Sequence, residues 1–486
     1  MKKPTNAKQK LYCNPLPIPN VPRGKDAWFR LEHGMFSHEN KPSTDVTPDY
    51  RSISDPTVMY YDNKWYLYPS YGMCYYTEDF VNWHFHKTEP YCPKYSPSIV
   101  PWKNKFLLTS WFCPLYEASS PLGPFKLLGD FIDLEGHEFT PCDPGIFIDD
   151  DGRLYLYAYD NPECDNYYGY YNRIVGYELD KDNPRQVARG PVEIFRMDPL
   201  HKPWERHGRY NQDSHYGWVE GPHMYKRDGR YYLIYASPDT CDCSYVNAVY
   251  YSDVSPLDGF VCQKRNPLTS SKDSLIRGAG HGCVCDGPNN TIWAFYTIAM
   301  PVGHMYERRI GMDQIFVDEN KELYCEGVTK TPQLLSFDGK NHDLGFYNLT
   351  ACIIPQVSSC YHEHFGVYMT DENNLSYWQP SPEDKNPEIV FDLGNFYYVS
   401  SYRLWLRDVG LDYEKGKVPF PVRYQIFYKK GDEWVLLIDE SSNNEELNIT
   451  FKPFDCVRTS HIKIVLLDNE TGIVDFSLFG KETPNE

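Results

Sequence analysis

The chain has 486 residues, of which 41 % are hydrophobic and 16 % aromatic, and its formal net charge is −19. This length exceeds what one core usually supports, so we expect two domains, and so much apolar material is unlike a disordered chain. The negative charge argues against nucleic acid or an anionic membrane as partner, and no run approaches the ~20 apolar residues that span a bilayer.

The N-terminus and the cysteines bear on the cellular compartment. Residues 1–6 have a basic start with no apolar run behind it, so no signal peptide is expected. The fifteen cysteines are odd in number and scattered, which favours reduced thiols. The sequence therefore predicts a cytoplasmic protein, with secretion after removal of a signal as the alternative.

A short phrase recurs five times in the first two thirds of the chain. Each copy is a tight turn of Asn, Asp or Gly followed by an aromatic and aliphatic run, and an apolar run also precedes each turn. The copies lie at 63–68, 104–109, 151–157, 228–235 and 289–296. Strand, turn and strand repeated at this spacing predict a five-bladed β-propeller over residues 26–340, after an N-terminal extension at 1–25. A β-sandwich is the alternative.

Three of the strands that open these repeats begin with an acidic residue. Asp55 and Asp143 each precede a proline, and Glu220 precedes a Gly-Pro pair. The first strand of each propeller blade lines the central channel, so we expect the three acids to meet at one mouth, with proline holding the preceding residue extended. Converging carboxylates suit glycosidic hydrolysis, in which one acid protonates the leaving oxygen, one carboxylate activates water and a third tunes the pKa of the acid.

The last 140 residues have a different pattern. Alternating strands at 402–406, 424–428 and 461–465, separated by turn signals, predict an all-β sandwich over residues 345–486. The whole chain is therefore predicted to be all-β.

The stretch from about Ser54 to Gln333 resembles glycoside hydrolase family 43, whose members are five-bladed propellers acting mainly on arabinose- and xylose-containing glycans. The resemblance rests on the D-P, D-P-G and E-G-P segments that hold the three acids. It implies that Asp55 is the general base, that Asp143 adjusts the pKa of the acid and orients it, and that Glu220 is the general acid.

Two further segments match the family. Residues 278–282 resemble its G-x-G-H segment, which implies that His281 lies in the propeller core and approaches a structural calcium ion through water; no cofactor is required. Arg308 resembles the arginine that contacts the sugar and the modulator aspartate, and its neighbour Arg309 is the alternative.

The chain also departs from the family. Tyr95 stands where the second blade usually has a tryptophan, and residues 296–297 are Tyr-Thr where the family has Tyr-His. Tyr95 is therefore expected in the sugar subsite, and Trp111, Trp218 and Tyr75 are candidates for stacking on sugar rings.

The C-terminal region from about Thr350 to Gly480 resembles the discoidin-like, factor 5/8 type C sandwich. The matching features are Trp378, the Asp-Leu-Gly turn at 392–394 and Trp434. Such modules often bind carbohydrate, and packing against the propeller is the alternative role.

These observations together predict an inverting exo-glycosidase. It would release terminal α-L-arabinofuranosyl or β-D-xylosyl groups from plant-type oligo- or polysaccharides, with Asp55 and Glu220 about 6.5 to 9.5 Å apart. The alternatives are a galactan-acting exo-glycosidase of the same family, a non-catalytic glycan-binding protein, and a levansucrase- or invertase-like fructosidase.

Overall fold

The computed structural model describes residues 10–19, 37–38, 41–42, 53–70, 72–89, 94–161, 172–273, 275–300, 307–340, 342, 344–408 and 420–482. Within these ranges the helices are three short 3₁₀ turns, Pro203–Glu205, Pro288–Asn290 and Gly366–Met369. In this described part, no helix is long and apolar enough to cross a membrane. The predicted all-β class is confirmed.

Five sets of antiparallel strands, sheets A to E, follow one another along the chain. Sheet A contains Thr57–Tyr61, Lys64–Tyr68, Met73–Thr77 and His84–Lys87. Sheet B contains Ser98–Trp102, Lys105–Thr109, Leu115–Ala118 and Lys126–Gly129. Sheet C contains Cys142–Ile148, Leu154–Asp160, Arg173–Leu179 and Val187–Arg196. Sheet D contains Glu220–Arg227, Arg230–Ser237, Val246–Ser252 and Val261–Cys262. Sheet E contains Arg277–Asp286, Ile292–Ala299, Arg308–Val317 and Leu323–Cys325.

The first two strands of every sheet form the hairpin that the repeated phrase predicts. In sheet A, for example, Tyr61 pairs with Lys64 across a turn whose central residues, Asp62 and Asn63, have φ of 49° and 60°. Sheets D and E share one parallel pairing, between Val246 and Ala279, which joins them into an eight-stranded sheet. Three two-stranded hairpins lie outside the five sheets. Their strands are Ser37–His38 with Lys41–Pro42, Phe131–Ile132 with Glu138–Phe139, and Arg206–His207 with Asp213–Gly217.

The first strand of each sheet has a left-handed residue just before it, near its start or, in sheet E, at its fifth position. These residues are Asp55, Ser96, Asp143, Gly221 and His281, with φ of 51°, 47°, 44°, 57° and 37°; Gly278 of sheet E is also left-handed, with φ of 65°. The extended conformation predicted for Asp55 and Asp143 is therefore wrong. Proline disfavours the right-handed helical region for the residue before it, and aspartate is among the few residues other than glycine that enter the left-handed region.

Glu220 begins the first strand of sheet D but is offset by one residue from the other two acids. The repeated left-handed position in sheet D belongs to Gly221, so Glu220 lies one residue before the position that Asp55 and Asp143 occupy. The left-handed residues of sheets A, B, D and E, together with residues that follow this position in all five sheets, line one cavity. The first strands of all five sheets therefore converge at one place.

The C-terminal region forms one seven-stranded antiparallel sheet. Its strands are Tyr347–Asn348, Gln356–Val357, Glu388–Asp408, Tyr424–Lys430, Glu433–Asp439, Ile449–Leu466 and Thr471–Glu482. Along the longest strand, Tyr402, Leu404 and Leu406 lie in this region's own hydrophobic core. Trp405, from the same strand, packs instead against Leu275 and Met300 of the preceding region. Alternation along one strand thus serves two cores.

The start of the chain lies between these two regions. The strand Leu11–Tyr12 pairs with Gln333–Leu334, and the buried Arg403 donates hydrogen bonds to the backbone oxygens of Asn14 and Lys330 at 2.7 and 3.2 Å. Residues 10–19 of the predicted N-terminal extension are therefore packed, whereas residues 1–6, examined for a signal peptide, lie outside the described residues. No disulfide bond joins two cysteines within the described ranges.

Candidate active site

Asp55 lies almost fully buried at the start of sheet A. Its Oδ2 accepts hydrogen bonds from the hydroxyls of Ser54 and Ser70, both at 2.8 Å, and its backbone N–H donates to Thr297 Oγ1 at 2.8 Å. Burial opposes ionisation of this carboxyl, but the charges of Arg308 and His281, with the two hydroxyl donors, outweigh burial and lower its pKa. Asp55 is therefore an ionised carboxylate at neutral pH, as a general base must be.

Arg308 is the buried cation that faces Asp55. Its Nη1 donates to Asp55 Oδ1 at 3.0 Å and to Thr240 Oγ1 at 2.8 Å, and its Nη2 donates to the Tyr95 hydroxyl at 2.7 Å. The predicted carboxylate partner of this arginine is Asp143, whereas in the structure Arg308 forms an ion pair with Asp55. Arg309 pairs with Glu307 at 3.2 Å, so Arg308 is the arginine of the site.

His281 lies between the acids that begin sheets A and D. Its Nδ1 is 3.6 Å from Asp55 Oδ1 and 3.8 Å from Glu220 Oε1, and its Nε2 is 2.9 Å from Ser96 Oγ. Burial lowers the pKa of the ring, but Asp55, Glu220 and Asp143 together raise it to about 9. The ring is therefore an imidazolium at neutral pH and neutralises part of the negative charge gathered here.

Asp143 is buried beside Glu220 and His281, and one polar side-chain atom of each of the three lies within 4.8 Å of the others. Burial is the largest influence on the Asp143 carboxyl; Glu220 and Asp55 act in the same direction and His281 opposes them, so its pKa rises to about 7. Asp143 therefore retains a proton up to about neutral pH.

Glu220 is half-buried and accepts a different hydrogen bond at each carboxyl oxygen. Trp218 donates its Nε1–H to Oε2 at 2.9 Å, and the hydroxyl of the buried Tyr245 contacts Oε1. Because Asp55 and Glu220 both face the same nitrogen of His281, their Oδ1 and Oε1 atoms cannot be more than about 7.4 Å apart, the sum of 3.6 and 3.8 Å.

Two glycines permit this close packing. A Cβ atom on Gly221 would lie 2.7 Å from the ring of His281, and a Cβ on Gly280 would lie 2.5 Å from the ring of Tyr245. The glycines of the E-G-P and G-x-G-H segments thus make room for side chains that contact Glu220.

The aromatic candidates for sugar stacking occupy different places. Tyr95 and Trp111 are half-buried and pack edge to face, with ring centroids 6.1 Å apart. Trp218 is also half-buried and packs edge to face with Tyr159. Tyr75 is 0 % exposed within the core of sheet A, so its prediction as a sugar platform is wrong. Residues of this strand alternate between its two faces, and every second one faces that core. The sequence pattern alone does not show which face lies in the core and which faces the channel.

The surroundings of His281 do not fit direct calcium ligation. Calcium prefers six to eight oxygen ligands, whereas both nitrogens of this ring already face protein groups and the ring carries positive charge. A calcium ion approached through water stays a prediction.

Several residues of the site carry no recognisable motif. Tyr245, Thr240 and Ser70 lie in segments without a repeated pattern and were not predicted. Ser96 could have been found, because it stands before Pro97 as Asp55 stands before Pro56 in the aligned repeats.

Comparison with known proteins places this site in a family. The curated xylosidase/arabinosidase of Butyrivibrio fibrisolvens is 29 % identical over 194 residues, which cover 38 % of this chain and 32 % of that protein. The structure of a xylan β-1,4-xylosidase from Bacillus halodurans C-125 is similar over 90 % of this chain and 99 % of that one, with 15 % identity and a TM-score of 0.47. The α-L-arabinofuranosidase CtGH43 from Clostridium thermocellum ATCC 27405 is similar over 58 % of this chain and 96 % of that one, with 21 % identity and a TM-score of 0.40. The family model of glycosyl hydrolases family 43 matches residues 38–321, more than half of the sequence, and the chain therefore belongs to that family.

Proposed function

We propose that this chain is an inverting exo-glycosidase that releases terminal α-L-arabinofuranosyl or β-D-xylosyl groups from plant-type oligo- and polysaccharides. The observation that carries the proposal is the convergence of Asp55, Asp143 and Glu220 around His281. Family membership supports the reaction class, and the choice of sugar is the part that substrate assays must test.

In the proposed reaction Asp55 accepts a proton from water, whose oxygen bonds to the anomeric carbon as the glycosidic C–O bond breaks. Glu220 donates its proton to the departing glycosidic oxygen. Asp143, within 4.8 Å of Glu220, opposes early loss of that proton through its own negative charge. Arg308 keeps Asp55 ionised and orients it. No cofactor takes part in these steps.

The stereochemical outcome depends on the distance between base and acid. Inverting enzymes keep the two carboxyl groups about 6.5 to 9.5 Å apart and retaining enzymes about 5 to 5.5 Å apart. The ceiling of about 7.4 Å between Asp55 Oδ1 and Glu220 Oε1 is an upper limit that is compatible with both ranges. Inversion therefore belongs to the proposal, and proton NMR of the first-formed anomer tests it.

For the architecture, we propose that sheets A to E are the five blades of a propeller and that the C-terminal sheet folds into a sandwich. The five hairpins, the five left-handed residues and the cavity shared by all five sheets support the first part. The ring contact of Phe391 with Phe476, 5.0 Å between centroids across the C-terminal core, supports the second.

The decisive experiment is hydrolysis of a panel of aryl furanosides and pyranosides by the wild type, Glu220→Gln and Asp55→Asn. We expect turnover on an α-L-arabinofuranoside or a β-D-xyloside, and a loss of about 10²-fold or more in both variants. Glu117→Gln, on an exposed ion pair of sheet B, is the matched control and should keep full activity. Turnover on galactosides alone would favour the galactan-acting alternative.

A glycan-binding role of the C-terminal region is a second proposal, because that region exposes aromatic rings. Tyr361 and Phe365 are 37 % and 49 % exposed, and the nearby His364 stacks on Tyr377 with centroids 4.1 Å apart. Flat exposed rings of this kind bind sugar faces. If the aryl glycoside panel shows no turnover and glycans still bind, a non-catalytic glycan-binding protein becomes the better description.

Calcium and cellular location remain proposals as well. Calcium bound near His281 through water would be detected by metal analysis of the protein before and after dialysis against EDTA. A cytoplasmic location is supported because no disulfide bond joins two cysteines within the described ranges, and fractionation of the cells would test it.

A further inference from the structure

The two carboxyl oxygens of Glu220 contact side chains with different hydrogen-bonding groups. Trp218 offers Oε2 an indole N–H, which can only donate a hydrogen bond. Tyr245 offers Oε1 a phenol hydroxyl, which can donate or accept. Both groups can therefore donate to a Glu220 carboxylate.

We propose that Trp218 and Tyr245 are positioning residues that hold Glu220 in place and stabilise the carboxylate that forms when its proton passes to the glycosidic oxygen. This inference rests on the proposed role of Glu220 as the general acid. The charged ring of His281, whose Nδ1 lies 3.8 Å from Oε1, stabilises the same carboxylate.

The proton transfer proceeds with its atoms balanced. The proton leaves Glu220 for the glycosidic oxygen as the bond from that oxygen to the anomeric carbon breaks. The oxygen of water bonds to the anomeric carbon, and a proton of that water passes to Asp55. Glu220 becomes a carboxylate that accepts hydrogen bonds at both oxygens, from Tyr245 and from Trp218, and these charge-assisted bonds stabilise the charge that develops in the transition state.

Burial and close packing hold Tyr245 in place. The residue is 0 % exposed and directly precedes the strand Val246–Ser252 of sheet D. Its ring occupies the space that a Cβ on Gly280 would need, at 2.5 Å. Gly280, the glycine before His281, therefore leaves room for the tyrosine that contacts Glu220. The G-x-G-H segment thus helps to position the proposed general acid.

The test is a comparison of leaving groups in Tyr245→Phe, which keeps the ring and removes the hydroxyl. We expect kcat on alkyl and 4-nitrophenyl glycosides to fall about 10- to 100-fold, the range for losing a hydrogen bond to a charged group. A 2,4-dinitrophenyl glycoside, whose leaving group departs without a proton, should change by less than about threefold. Tyr235→Phe is the matched control, because it removes a phenol donor from another buried carboxyl, Glu205, at 2.6 Å.

A second variant makes the test independent of the first. Trp218→Phe removes the N–H that donates to Oε2, and it should give the same dependence on leaving group with a smaller loss. Thermal melts of both variants establish that they are folded. An equal loss on all substrates, or none, in both variants would overturn the inference.

Glu220→Gln separates this inference from the proposed function. If that variant loses activity mainly on poor leaving groups while Tyr245→Phe and Trp218→Phe do not, only the positioning roles fail. If Glu220→Gln itself shows no dependence on leaving group, the general-acid role of Glu220 fails.

Discussion

Replacing Arg308 by methionine should destabilise the protein in a way that depends on pH. Arg308 and Asp55 are 1 % and 2 % exposed and lie 3.0 Å apart, so the variant leaves a buried carboxylate without its main cation. Breaking a buried ion pair costs about 3 to 5 kcal/mol. Because His281 and the Ser54 and Ser70 hydroxyls still face Asp55, we expect a loss near the lower end, about 3 kcal/mol at pH 7.

The sign of the pH dependence follows from Asp55. In the wild type its pKa is lowered from 3.8, so the ionised carboxyl contributes stability that is present above pH 3.8 and is lost as the pH falls through its folded pKa. In Arg308→Met burial is no longer offset and the pKa rises, so the penalty is full at neutral pH and shrinks as acid protonates Asp55. The difference between wild type and variant should therefore be largest near pH 7 and decrease towards pH 4.

Urea unfolding followed by tryptophan fluorescence at pH 7.5 and pH 4.5 measures this difference. The double variant Asp55→Asn/Arg308→Met should recover part of the loss, because no buried charge is left unpaired. Arg227→Met, which breaks a more exposed pair with Asp286, is the control and should cost less than about 1 kcal/mol. A penalty for Arg308→Met that is the same at both pH values would refute the reasoning.

Three further outcomes are expected. In Asp143→Asn the basic limb of kcat/KM should move to lower pH, because the neutral amide lacks the negative charge that opposes loss of the proton of Glu220. An unmoved limb would contradict this role of Asp143. Gly221→Ala places a Cβ 2.7 Å from His281 at a φ of +57°, so kcat should fall about tenfold or more. The control Gly229→Ala, at a φ of +80° with open space around it, should change only the melting temperature. Equal activity in both variants would count against the packing argument. Tyr361→Ala/Phe365→Ala should weaken pull-down on insoluble arabinoxylan and leave aryl glycoside turnover unchanged, and undiminished pull-down would remove these rings from the proposed glycan surface.

The position of the acids could be predicted because it follows from a repeated pattern. Each hairpin phrase identifies a first strand, and first strands that share a cavity bring Asp55 and Asp143 together although they are 88 residues apart in the sequence. The backbone at these residues could not be predicted in the same way. A proline restricts the preceding residue away from the right-handed helical region, but the left-handed and the extended conformations both remain, and packing around the cavity selects between them.

The partners of the acids were harder to predict than the acids. Arg308 is recognisable at the start of a strand. Its hydrogen bond to Asp55 joins residues 253 positions apart and depends on how the starts of the strands are arranged in space. Tyr245 has no motif of its own, and its only trace in the sequence is Gly280, which lacks a side chain so that a ring from another strand can fit. Contacts made by one residue across distant segments leave little sequence signal.

The docking of the first residues has a consequence for synthesis. Leu11 pairs with Leu334, and the backbone oxygen of Asn14 accepts a hydrogen bond from Arg403, so these residues acquire their neighbours only after more than three hundred further residues have been synthesised. Until then their apolar side chains lack their final cover, a stage at which nascent chains are prone to aggregate. Residues 10–19 thus reach their native place late, and a fragment ending before residue 403 would lack one of their partners.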